Sequence, residues 1–257
     1  PRLRPFVSGY QGYVEAGSVP VLRQEVPTTR VPLIVNFGAP WRIAGAKDAR
    51  QPAVERSFFA GLFERSVWVE ATGPARCVQI DLTPIGAHLV LGIPMHELAN
   101  RTVSLDDVLP AAERGLAERL ADATSWTARF NLLDRVLAKR LAETMPPSRE
   151  VVWAYGALER TGGRVPIASL AERIGRSRRH LATRFREQVG LPPKTVARIF
   201  RFRRALELLG SGSGFADVAY ECGYFDQAHL NRDFRQFAGT SPGELARRLD
   251  TRGAILG

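Results

Sequence analysis

Two hydrophobic periods divide the chain. Up to about residue 82, apolar residues come in short runs: VPLIVNF at 31–37, SFFAGLF at 57–63, SVWVEA at 66–71 and ARCVQIDL at 75–82, punctuated by Gly and Pro. Rich in β-branched and aromatic residues, these runs predict short strands, and their number predicts a small barrel or sandwich. Segments 83–92 and 94–100 read as short helices or turns. Beyond them the period lengthens, with helical stretches over about 110–123 and 125–144. The second carries an apolar stripe of Trp126, Phe130, Leu133, Leu137 and Leu141 at helical spacing. That stripe can cover the β-rich part or meet a second copy of the chain. Pro146-Pro147-Ser148 then marks a boundary, giving a β-rich domain with trailing helices at 1–147 and a helical domain at 148–250.

Within the helical domain the pattern repeats. IASLAERIGRSRRHLATRFREQVG at 167–190 aligns with FADVAYECGYFDQAHLNRDFRQFAG at 215–239. Leu170 and Val218, Ala171 and Ala219, Gly175 and Gly223, Leu181 and Leu230, Phe185 and Phe234, and Gly190 and Gly239 correspond. Each copy reads as helix, tight turn, helix. Gly175 and Gly223 suit a left-handed helix end. Ser177 and Asp226 are natural caps for the second helices. Pro166 is expected at the first position of its helix and Ser213 as the cap of the other first helix. Between the copies, Val196, Ile199, Phe202, Leu206 and Leu209 stripe one long helix that Gly210 is expected to stop. Two helix-turn-helix units therefore stand in tandem, joined by a single helix.

Charge sharpens this reading. The chain carries a net charge of +10 over 257 residues. Residues 1–150 are nearly neutral, with 18 Lys+Arg against 16 Asp+Glu, whereas Arg164 to Arg204 holds 12 basic residues opposed only by Glu172 and Glu187. A polyanion is the natural partner of such a cluster, because neutralising phosphates releases condensed counterions. The second unit is poorer in charge, with Arg232 and Arg235 against Asp217, Glu221, Asp226 and Asp233. Most of the electrostatic grip is therefore expected from the first unit and the joining helix.

GFADVAYECGYFDQAHLNRDFRQFAGTSPGEL at 214–245 resembles the signature of the AraC/XylS transcription regulators, and SLAERIGRSRRHLATRFREQVGLPP resembles its partner unit. The resemblance implies a two-domain α+β protein, a β-rich small barrel or sandwich followed by an all-α tandem helix-turn-helix domain. It implies that recognition helices at about 177–189 and 226–238 enter successive major grooves of double-stranded DNA. By that analogy Arg179, Ala182 and Thr183 face bases in the first unit, and Gln227, Ala228, His229 and Arg232 in the second. Asn231 is better placed for a phosphate, and Arg178 and Arg201 are counted with the DNA-binding residues. Arg184 stands one place after the position where the family often carries Arg, so base, phosphate and solvent are all open to it. Family members often use the N-terminal domain to bind a small-molecule effector or to dimerise, and RNA polymerase is an expected partner.

Little competes with this. A metal-dependent, cupin-like small-molecule binder with a secondary DNA-binding module is the alternative. It would need clustered ligands, and His88 and His96 stand eight apart with Cys77 at no metal-ligand spacing. GSGSG at 210–214 lacks the Lys-Ser/Thr of a phosphate loop. No catalytic residues, metal or cofactor are expected. No apolar run approaches the roughly 20 residues of a membrane helix, no signal-peptide pattern opens the chain, and two distant cysteines make no disulfide framework. The expectation is a cytoplasmic transcription regulator, nucleoid-associated when bound to DNA.

Overall fold

The computed structural model describes residues 3–15, 22–45, 51–109, 113, 115–248 and 255–256. Among these residues ten strands form two antiparallel sheets. The first has the order β1 (Val7–Glu15), β8 (Ala75–Leu82), β3 (Val31–Asn36), β6 (Phe58–Ala60), β9 (Thr102–Ser104). The second has the order β10 (Ile255–Leu256), β2 (Leu22–Glu25), β7 (Val67–Ala71), β4 (Trp41–Ala44), β5 (Ala53–Glu55). The sheets do not close into a barrel, so of the two expected arrangements the structure adopts two separate sheets.

Strand β3 shows why its sequence is apolar throughout. Its side chains alternate between faces: Ile34 packs between the sheets with Trp41, Ile43, Phe58 and Cys77, while Leu33 and Val35 face the helical side with Phe59, Val78 and Ile80. The first sheet is thus a middle layer buried on both faces. The helices behind it are α1 (Pro84–Leu91), α2 (Leu105–Val108), α3 (Leu116–Asp122) and α4 (Trp126–Glu143), with a 3₁₀ turn at Met95–Glu97. Residues 110–112 and 114 of the expected 110–123 helix lie outside the described residues. The α4 stripe covers its own domain: the Tyr10 ring lies 5.6 Å from Phe130, the Tyr10 hydroxyl donates to Asp134, and Gly12 admits the Trp126 ring so closely that a Cβ there would meet it at 2.4 Å.

The C-terminal region is all helical: α5 (Arg149–Arg160), α6 (Ile167–Ile174), α7 (Arg178–Val189), α8 (Pro193–Gly210), α9 (Phe215–Glu221), α10 (Gln227–Ala238) and α11 (Pro242–Arg248). Two starts differ from expectation. Pro166 is the residue before α6, with ψ 134°. Gly214 precedes α9 without a side-chain cap, so Ser213 does not fill that role. Gly210 also belongs to α8, and the left-handed residue comes two places later, at Gly212 with φ +89°.

One apolar core crosses the Pro146-Pro147 boundary. Buried side chains from β3, β8, α1 and α4 join those of α5, α7, α8 and α10. The C-terminal half of α7 rests on α1 and the 3₁₀ turn, where Gly190 lies against the Met95 carbonyl. Polar ties cross as well. Tyr155 donates to the Thr29 carbonyl at 2.9 Å, and Arg30 pairs with Glu159 at 3.2 Å. Gln24, 4 % exposed, donates from Nε2 to Ser66 Oγ and to the carbonyl of Ala238, both at 2.8 Å. Ala238 is the last residue of α10, so β2 holds one end of that helix.

Candidate nucleic-acid interface

The two second helices start alike. Ser177 Oγ accepts the His180 N–H at 3.1 Å, and Asp226 Oδ1 accepts the His229 N–H at 2.6 Å. Each cap satisfies an otherwise orphaned donor and fixes where the helix begins. Gly175 and Gly223, at φ +69° and +72°, make the turns before them. Inward anchors are matched too: Leu181 and Phe185 in α7, Leu230 and Phe234 in α10, all buried. With these fixed, equivalent outward positions follow. Arg178, Arg179 and Thr183 are exposed and Ala182 half-buried on α7; Gln227, Ala228 and Arg232 are exposed and Asn231 half-buried on α10.

The remaining expected residues are more constrained. His229 is half-buried, edge-on to the Tyr224 ring at 5.2 Å. Arg184 is paired with Glu187 at 2.6 Å. The Arg201 guanidinium lies 5.5 Å from the Tyr224 ring centre, with Nε buried.

The basic cluster of the sequence is not one free face. Arg198 hydrogen-bonds Asp233 through Nε and Nη2, at 3.1 and 2.6 Å, tying α8 to α10. Arg173 lies over Trp153 and Arg204 pairs with Glu207. Arg176 and His180 both reach Glu150 at 3.2 Å, and these hydrogen bonds, Arg176 foremost, hold its carboxyl below the usual carboxylate range. Exposed without an ion pair among the described residues are Arg178, Arg179, Arg186 and Lys194 near the first unit, together with Arg173 over Trp153 and Arg164, which donates to the Thr161 carbonyl, and Arg232 and Arg235 on the second. The charge difference between the units is therefore smaller at the surface than along the sequence.

Sequence reasoning also missed two surface aromatics. Phe225 is 93 % exposed beside the α10 cap, and Tyr220 is 86 % exposed on α9, whereas Tyr224 is buried. The spacing of the buried Val218 and Ala219, four and three residues before the buried Cys222, could have placed Tyr220 outward. Elsewhere, His88 Nδ1 pairs with the Ile93 carbonyl at 2.9 Å, and no His, Cys, Asp and Glu group among the described residues is arranged to hold a metal. No helix among them is long and apolar enough to cross a membrane.

Two capped and glycine-turned units joined by the 18-residue α8 define a tandem helix-turn-helix protein. Residues 170–248 match a helix-turn-helix domain, and residues 1–104 match a domain of unknown function, DUF6597. The C-terminal region is a helix-turn-helix domain of the AraC family. Similar curated proteins are the transcriptional activator RhaS of Escherichia coli, 31 % identical over 32 % of this chain and 30 % of its own length, and the regulator GlxA of Rhizobium meliloti, 37 % identical over 36 % and 28 %. An uncharacterized regulator of Bacillus subtilis, YbfI, is 32 % identical over 35 % of this chain and 33 % of its own length. The chain thus matches about a third of the length of these relatives. ToxT of Vibrio cholerae shares the two-domain fold, with a TM-score of 0.50 at 9 % identity over 93 % of this chain and 97 % of that one.

Proposed function

We propose that this chain is a sequence-specific DNA-binding transcription regulator, with its recognition helices α7 and α10 entering successive major grooves and its N-terminal domain binding a small-molecule effector. The division of labour follows 1–147 and 148–250. One observation carries the DNA reading: both helices turn the same four positions outward, Arg178, Arg179, Ala182 and Thr183 on one, Gln227, Ala228, Asn231 and Arg232 on the other. The chemistry suits base edges. Arginine forks onto guanine N7 and O6, glutamine onto adenine, and small apolar groups meet the thymine methyl. Arg186, Lys194 and Arg235 are placed to neutralise phosphates around them, and the exposed N-terminal turns of both helices offer backbone N–H groups to the same anions.

His229, Arg184 and Arg201 join the interface after modest rearrangement or act by holding the readers in place. Tyr220 and Phe225 offer apolar contact to a protein partner, and RNA polymerase is the one a regulator meets at a promoter; a second copy of the chain is the other. The role is regulatory rather than catalytic, exercised in the cytoplasm on nucleoid DNA. Selection of binding sites from randomised duplexes tests the proposal. A bipartite site with half-sites about one helical turn, or 10–10.5 base pairs, apart is expected. Enrichment of no sequence would overturn it.

A further inference from the structure

We propose that the cavity between the two sheets binds a small organic amine as its ammonium ion, held by the carboxylate of Glu25 and packed against aromatic walls. This rests on the reading of the N-terminal domain as an effector-binding domain and names the ligand class. The cavity measures about 170 Å³, and its lining includes Tyr13, Glu25, Trp41, Phe58, Phe63 and Val69. Room of that size suits a ligand with one ring.

Glu25 makes the cavity chemically specific. Alternation along β2 sends Gln24 toward α10 and its neighbours Arg23 and Glu25 toward the cavity. Glu25 borders that space and its side chain is exposed there. Among the described residues it has neither a hydrogen bond nor an ion pair. Desolvation raises its pKa even though Arg23 and Arg203 pull the other way. A carboxylate so placed, without a hydrogen-bonded partner, is open to a cationic ligand. Arg23 also borders the cavity but already has a partner within the protein.

An ammonium group answers this environment in two ways. It gives the carboxylate a charge-assisted hydrogen bond, about twice as strong as a neutral one. It is also attracted to the faces of Trp, Tyr and Phe rings, most strongly where water is excluded. An alcohol of the same shape gains only a neutral bond, and a carboxylate ligand meets Glu25 as a like charge.

The test is calorimetric titration of the full chain, without DNA, with benzylamine and with benzyl alcohol and benzoate as isosteric controls. Saturable binding of benzylamine at one molecule per chain is expected, at least tenfold tighter than benzyl alcohol. Glu25→Gln should abolish that preference while leaving the thermal unfolding curve in place. Should the variant fail to fold, the benzylamine to benzyl alcohol ratio on the native chain decides by itself. Tighter binding of benzoate or benzyl alcohol would overturn the amine class and leave the effector reading standing. No saturable binding of any of the three at millimolar concentration would overturn both.

Discussion

At the scale of single residues, the outward positions of α7 and α10 should separate by kind. Arg179→Ala and Gln227→Ala should each cost about 1–3 kcal/mol at one base position of the site, seen as relaxed preference there. Lys194→Ala should weaken binding to all sequences alike and lower the slope of log affinity against log salt by about 0.9. Binding isotherms on a set of single-base operator variants at several salt concentrations check both, and uniform weakening by all three substitutions would remove base reading. Cys222 gives an independent probe. Burial pushes its thiol up to about 11, so at pH 8 the native protein holds far less thiolate than an exposed cysteine, and alkylation should report unfolding. Caps were legible at this scale because Ser177 and Asp226 act on donors only three residues away. The ties of Arg198 to Asp233 and of His229 to Tyr224 were not, because they join positions whose pairing depends on how helices cross or on which way a half-buried ring turns.

At the scale of elements, α8 is more than a spacer. Asp233 is 1 % exposed and takes two hydrogen bonds from Arg198 of α8. Removing the acid in Asp233→Ala leaves a half-buried guanidinium uncompensated. A loss of about 3 kcal/mol is expected in urea unfolding, with the second unit loosened relative to the first. The helical periodicity of α8 revealed its apolar stripe but not which of its arginines face inward, since length lets an arginine stem reach past its own face. In the N-terminal domain, Gly12→Ala should destabilise by about 1–3 kcal/mol, because the added methyl overlaps the Trp126 ring. A wild-type melting temperature in that variant would argue against the tight seat of α4 on β1. The strands themselves were readable from β-branched runs. Their division into two sheets was not, because short runs of this kind fit a closed or an open arrangement equally well.

At the scale of the whole molecule, the linker composition suggested two separable domains, but the apolar core is continuous. Cutting at residue 147 would bare Met95 and α1 on one piece and the back of α7 on the other. The intact chain should therefore melt in one cooperative transition, and residues 148–250 alone should melt lower; two resolved transitions by calorimetry would contradict the shared core. Strand β2 carries a further consequence. Its odd-numbered residues border the cavity while Gln24 grips the end of a recognition helix. Any molecule that favours one setting of β2 thereby changes the free energy of seating α10 on DNA. Thermodynamic reciprocity then obliges the operator to change the affinity of the cavity by the same factor, so the occupancy of the cavity can be read from the DNA, and the occupancy of the DNA from the cavity.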